Sequence, residues 1–235
     1  MKKISIIGIS GKLGQHLARE ALKMGYEVTG VCREQSVHKL GNLVDKVTIF
    51  PGDTNNPDVV RKAVQSSDGV LTVLVPWGLK HYSSGTARAV LEHSQPNARL
   101  IFSCGWHVPG HPEDHYSHTQ LLLHKTITKT MRTLRIMDID DQIHAARLIQ
   151  KSKSMWTLVR ASTLEEGPSQ GMPVWAENVG HPKLRSDRTR RIDYAKFMLS
   201  TLTQDQFMRK SPAIVGCLSE SALAYEQDST MREEK

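Results

Sequence analysis

The sequence predicts an α/β fold: a Rossmann-type doubly wound parallel sheet in a single domain, with a small C-terminal substrate-covering region. Three observations predict it. Short apolar runs alternate with helix-patterned segments through the first half of the chain. The first apolar run leads directly into Gly8-Ile9-Ser10-Gly11-Lys12-Leu13-Gly14. The length, 235 residues, suffices for one full core.

Each element follows from its local pattern. Residues 3–9 form a continuous apolar run, as a strand buried on both faces requires. In residues 13–24, Leu13, Leu17 and Ala21 recur at helical spacing, and Gly25 stops the helix. Residues 26–32 and 44–50 read as the second and third strands. A helix is expected over 57–65, capped by Asn55 or Asn56. Residues 69–75 form a fourth strand, 79–93 a helix and 99–104 a fifth strand. The second half is less regular. Residues 106–112 are a loop rich in Pro, Gly and His, 119–131 suggest a helix, and 140–152 suggest a stronger one. A sixth strand is expected at 155–159, a helix at 193–202 and a last strand at 212–215. Alternation of this kind favours parallel strands joined by right-handed crossovers. Residues 1–225 are thus expected to form the domain. Segments at about 105–135 and 161–190 would cover the substrate, and 226–235 would be a flexible tail.

Composition narrows the function classes. Hydrophobic residues make up 39% and charged residues 23%, as in ordinary globular proteins. No apolar run approaches the roughly 20 residues of a membrane span. Met1-Lys2-Lys3 enters a strand too short for a signal-peptide core, so a cytoplasmic location is expected. Cys32, Cys104 and Cys217 are scattered, which fits a reducing compartment. The net charge is +7, yet the basic residues form no stripe. Their densest stretch is Lys183, Arg185, Arg188, Arg190 and Arg191, in a loop leading into a helix. That favours a small anionic ligand over nucleic acid. His107, His111, His115 and His118 are interrupted by Pro109, Gly110 and Pro112, and no metal is expected there.

The glycine loop carries the strongest chemical signal. Gly8 allows a tight turn, Gly11 lets the backbone approach a pyrophosphate, and Gly14 lets helix and sheet pack closely. The helix start then offers unpaired amides to phosphate oxygens, with Ser10, Lys12 and Leu13 lining the turn. The second strand ends Val31-Cys32-Arg33. A carboxylate there would bind the ribose 2′-hydroxyl of NAD. Arg33, with Lys12 in the loop, suits the 2′-phosphate of NADP, although Glu34 follows at once. Asp53, after the third strand, is placed either to meet the adenine amino group or to serve as a turn or cap residue.

With these features the sequence resembles the atypical short-chain dehydrogenases/reductases. More narrowly, it resembles the NAD(P)H-binding group of NmrA-like proteins and biliverdin-IXβ/flavin reductases. The resemblance rests on Gly8-x-x-Gly11-x-x-Gly14, Arg33 and Gly52-Asp53. It also rests on residues 25–29, 140–144, Trp156-Thr157-Leu158-Val159-Arg160 and 192–199. Two departures stand out. Val75-Pro76-Trp77-Gly78 replaces the small residues usual after the fourth strand, and residues 106–135 are longer than in the flavin-reductase branch.

Ligands of such a sheet bind beyond the carboxyl ends of the strands, so Val75, Pro76, Trp77 and Ser103 are expected to line the nicotinamide side. The Tyr-x-x-x-Lys pair of standard short-chain dehydrogenases is absent: Gln120 follows Tyr116 by four, and Thr86 follows Tyr82. Ser103, at a strand end, is the first choice for contacting nicotinamide or substrate, or else it satisfies backbone groups there. Tyr116 and His107 are candidate proton donors in the roofing loop. Cys104 reads as a small buried hydrophobe. Asp141 and His144 share a helix face, in the region of the tyrosine and lysine of active relatives, or serve as cap and surface residues. Trp106, Trp156 and Trp175 could stack on a flat substrate, with Trp156 better suited to the core. These features point to an NADP-dependent oxidoreductase acting on a small, conjugated or aromatic molecule. The alternatives are an NADP-binding redox sensor and an isomerase or lyase on the same fold.

Overall fold

A computed structural model of the chain describes residues 1–74, 81–116, 138–186 and 188–233, the last five without side chains. The element order is β1 (Lys3–Ile7), α1 (Lys12–Lys23), β2 (Glu27–Cys32), β3 (Thr48–Pro51), α2 (Pro57–Val64), β4 (Gly69–Val73), α3 (Tyr82–His93) and β5 (Arg99–Gly105). It continues with α4 (Ile139–Lys151), β6 (Met155–Ala161), β7 (Thr163–Glu165), β8 (Val174–Ala176), β9 (Arg188–Arg190), α5 (Arg191–Ser200), β10 (Ala213–Val215) and α6 (Glu220–Glu233). The main sheet runs β3-β2-β1-β4-β5-β6-β10-β8. Its strands pair in parallel except β8, which is antiparallel to β10. The order therefore reverses between β1 and β4, where ligands of such sheets bind beyond the carboxyl ends of the strands.

Period-2 alternation divides the sheet residues between two apolar layers. Ile4, Ile6, Ile101 and Val159 pack with Leu13, Leu17 and Ala21 of α1 and Tyr194, Phe197 and Met198 of α5. Ile7, Val70, Leu100, Phe102 and Leu158 pack with Val60 and Val64 of α2, Val90 of α3 and Ile149 of α4. Helices cover both faces, as the doubly wound reading requires. Asn56, one of the two proposed caps, accepts from the Asp58 and Val59 amides at 3.0 and 3.5 Å.

The structure differs from the sequence reading in three places. Residues 34–46 form 3-10 turns, so the third strand begins at Thr48 and Val44 is exposed. Val44 belongs to a local amphipathic pattern that buries only Ser36, Leu40 and Leu43. The 161–190 segment is more than a cover, because β8 completes the sheet edge and β7 pairs with β9 in a two-stranded parallel sheet. The chain is helical to Glu233, where a flexible tail is expected from 226. The helix expected over 119–131 lies outside the described residues.

Candidate cofactor and active site

The end of β1 builds a phosphate cradle from backbone alone. Gly8 turns the chain at φ +91°, and its amide donates to the Val31 carbonyl at 2.9 Å. The first helical bond of α1 runs from the Gln15 amide to the Gly11 carbonyl at 2.9 Å. The amides of Lys12, Leu13 and Gly14 thus precede any carbonyl within the helix that could satisfy them. A Cβ at Gly14 would stand 2.2 Å from the Gly8 carbonyl oxygen, so only glycine lets α1 lie against the turn. Gly11 is the N-cap, with no side-chain cap over the free amides. The residues present fit a dinucleotide pyrophosphate at this point.

The adenosine end is built from β2 and β3. The Gly52 amide donates to the Cys32 carbonyl at 2.9 Å, which sets Asp53 beside Arg33 at the carboxyl edge. Both side chains are exposed. Arg33 has no side-chain partner among the described residues. Asp53 does not cap α2, because Asn56 does; its carbonyl accepts from the Asn56 amide in a turn. Ser10 is half-buried and its side chain lies against the Cys32 thiol, which burial pushes up. Lys12 departs from the expectation that it flanks the ribose with Arg33. Its ammonium lies 3.5 Å from the Glu166 carboxylate, which also meets His16 at 3.8 Å and pairs closely with Arg191. Sequence reasoning missed Glu166, since nothing in Glu165-Glu166-Gly167 marks which carboxylate folds back over the loop.

The catalytic candidates are distributed differently from the expectation. β5 continues to Gly105, so Ser103 lies inside the strand and is buried, against the hydroxyl of Tyr194. Tyr194 itself donates to the Val159 carbonyl at 2.7 Å. Tyr116 donates to the Trp106 carbonyl at 2.6 Å, and burial pushes its phenol up to about 12. His107 is half-buried, with its ring against the Gly105 backbone. Burial pushes the Cys104 thiol up to about 12, so it is a core residue. Trp106 anchors its loop by donating to the Ile214 carbonyl at 3.1 Å. Trp175 stacks edge-on to Phe207 at 4.9 Å, and Trp156 is buried. Val75, Pro76 and Trp77 lie outside the described residues. The other basic residues of the 183–191 stretch are partly absorbed locally: Arg188 and Arg190 meet Glu165 at 3.5 and 3.3 Å.

A buried ion pair fixes the roofing loop. Arg160 is fully buried and its guanidinium meets Asp114 at 2.6 Å. It also donates to the Ser211 and Glu177 carbonyls at 2.8 and 2.7 Å. Asp114 accepts from the amides of Gly110, His111 and Val179 at 2.8, 2.9 and 2.7 Å.

A second buried carboxylate organises the start of α3. Asp141 is buried, and its Oδ2 accepts from the Ser83 and Ser84 amides at the start of α3, at 2.7 and 3.1 Å. Its Oδ1 is buried with no hydrogen-bond partner and lies 3.7 Å from Nδ1 of His81. His144, three residues on, is exposed, so the two do not act as one face. Gln142 donates to the Leu74 carbonyl at the end of β4, at 2.9 Å.

A glycine turn offering free amides at the switch point of a parallel sheet defines a nicotinamide-dinucleotide-binding protein. The NAD(P)H-binding family model matches residues 8–205, and the chain belongs to that family. It is similar in fold to two short-chain dehydrogenases/reductases of Veillonella parvula. The first is 15% identical with TM-score 0.71, over 92% of this chain and 94% of that one. The second, in complex with NADP, is 19% identical with TM-score 0.68, over 91% and 94%. ChuY, an anaerobilin reductase of Escherichia coli O157:H7, is 17% identical with TM-score 0.69, over 93% and 99%. The uncharacterized protein YLL056C of Saccharomyces cerevisiae is 30% identical over 70 residues, 29% of this chain. That match spans only 24% of the yeast protein. The fold thus agrees with the Rossmann-type doubly wound reading of the sequence. No helix among the described residues is long and apolar enough to cross a membrane.

Proposed function

We propose that the protein is an NADP(H)-dependent reductase of a small conjugated or aromatic molecule. The observation that carries the choice of NADP is Arg33. It is exposed and, among the described residues, without a side-chain partner, one residue beyond β2 and beside the loop bearing Asp53. A ribose 2′-phosphate placed there would gain a charge-assisted contact, and a bare hydroxyl would not. The NADP complex of a structural neighbour and the anaerobilin reductase activity named for another support the reading without deciding the substrate. Three free cysteines suit a reducing, cytoplasmic setting.

The test is cofactor choice. Arg33→Asp should weaken NADPH binding by roughly 10- to 150-fold, the range of one charged hydrogen bond, while NADH affinity stays nearly constant. Fluorescence titration reads both. Equal affinities in both proteins would refute the assignment. One observation favours a second reading, a non-catalytic redox sensor: the hydroxyls of Tyr116 and Tyr194 both donate to backbone carbonyls. NADPH consumption against quinones, flavins and carbonyl compounds separates the two. Tight binding without turnover would support the sensor.

A further inference from the structure

The standard tyrosine is missing, and Ser103 and Tyr116 are committed to the interior, so a reductase of this sequence needs another proton source. We propose that His81, oriented by the buried carboxylate of Asp141, is that proton donor. The proposal rests on the reductase reading above.

Placement supports it. A Cβ at Gly8 would stand 3.4 Å from Cβ of Val73, so the glycine turn touches the end of β4. The next residue, Leu74, accepts from Gln142, and Asp141 precedes Gln142. The carboxyl end of β4 therefore joins the cofactor turn to the start of α4. His81 stands at that same edge, immediately before α3, with its side chain 85% exposed. Its imidazole is open to solvent.

Locally, the His81 imidazole stands beside a fixed carboxylate. His81 has left-handed backbone, φ 60° and ψ 23°, which a residue with a Cβ adopts at a cost of about 1–3 kcal/mol. Asp141 is fixed by two amides through Oδ2, and the Asp138 side chain accepts from the Asp141 amide at 3.1 Å. Only Oδ1 is left, buried and lacking a hydrogen bond, with the His81 imidazole 3.7 Å away. A small approach closes an Nδ1–H to Oδ1 hydrogen bond. Contacts of this kind are often long before substrate binds. The other ionisable groups on the two helix starts are Asp138, Asp140 and His144 of α4 and Tyr82 and Arg88 of α3.

The step balances without further reagents. The C4–H bond of the reduced nicotinamide breaks, and its electron pair forms a new C–H bond at the electrophilic carbon of a conjugated carbonyl substrate. The displaced π pair moves to the carbonyl oxygen, which takes the proton from Nε2 of the imidazolium. NADPH becomes NADP⁺. The neutral imidazole, with Nδ1–H turned to Asp141, is reprotonated from solvent.

The test uses the full chain and an acceptor that the wild-type protein reduces. His81→Gly keeps the left-handed backbone and opens a space. It should lower kcat by about 100-fold or more, in the range of a lost general acid, with NADPH affinity unchanged by fluorescence titration. Imidazole added to the buffer should restore turnover. Asp141→Asn keeps an oxygen for the Ser83 and Ser84 amides but removes the charge. It should lower kcat less, without rescue by imidazole. In the cofactor-free protein it should also remove the Nδ1–H tautomer signature of His81 in ¹⁵N spectra. Wild-type turnover together with an unimpaired His81→Gly would overturn the proposal alone. NADPH binding with no turnover on any acceptor would overturn the reductase reading and this proposal together. A His81 tautomer that ignores Asp141→Asn would overturn the dyad.

Discussion

Replacing Asp114 with alanine should produce one of the largest single-residue losses of stability in this chain. The mutation removes the carboxylate at 2.6 Å from a fully buried Arg160 and the acceptor of three amides. What remains is an uncompensated buried guanidinium, a loss of about 3–5 kcal/mol. For a chain of this length each kcal/mol lowers the melting temperature by roughly 2–4 °C, so a fall of roughly 6–20 °C is expected. Differential scanning calorimetry reads it. The variant Arg160→Met/Asp114→Ala should fall short of the sum of its single losses by about 1–3 kcal/mol, because the partners are coupled. The pair also has a pH signature. Burial alone would raise the Asp114 pKa, but the amides of Gly110, Val179 and His111 and the Arg160 charge outweigh it, and the pKa is lowered. A group lowered in the folded state stabilises fully above its unfolded pKa, about 3.9 for Asp. That stabilisation is lost as pH falls through the lower folded value. The gap between wild type and Asp114→Ala should therefore be constant from neutral pH to about 5 and shrink below about 4. An Asp114→Ala protein melting within about 2 °C of wild type would mean that water or rearrangement compensates Arg160, and the account of the roofing loop would be wrong.

Two further outcomes test the site. Glu166→Gln should free Lys12 and Arg191 and tighten NADPH by up to about fivefold, the scale of an exposed ion pair; unchanged affinity in a titration would place Lys12 beyond the reach of the cofactor phosphates. Alkylation at pH 8, followed by mass spectrometry, should label Cys217 and spare Cys104 in the folded protein, because burial pushes the Cys104 thiol up to about 12 and Cys217 is only partly buried. Early labelling of Cys104 would contradict its place in the core.

The parts of the fold legible in the sequence are those set by periodicity and by steric need. Ile4, Ile6 and Ile7 are buried on both faces of β1, so their run admits only a central strand. Gly14 is dictated by a backbone atom 2.2 Å from where its Cβ would be, so no residue with a side chain fits there. Residues 34–46 were less legible because amphipathic 3-10 turns and a half-buried strand share apolar spacing over so short a length. β8 was hidden for a related reason. Val174-Trp175-Ala176 is three residues long, and a polar Gly/Pro-rich segment surrounds it.

The site divides along the same line, between backbone and side chain. The pyrophosphate cradle uses only main-chain amides, so the residue types that permit it are visible as a spacing. The acid–base groups depend on which side chains meet across the fold, and spacing carries no such information. Asp141 and His144 look paired at three residues apart, yet one is buried and the other exposed. The partner of Asp141 is His81, sixty residues earlier on another helix start, 3.7 Å away. Arg160 gives the converse case. It lies in a recognisable Trp-Thr-Leu-Val-Arg strand at the edge expected to carry chemistry, yet its guanidinium points inward to Asp114 and to carbonyls. A charged residue near the carboxyl end of a strand is thus a catalytic candidate only if its polar atoms are left unused by the fold. By that criterion Arg33, His81 and the first-turn amides of α1 qualify, and Arg160, Tyr116 and Tyr194 do not.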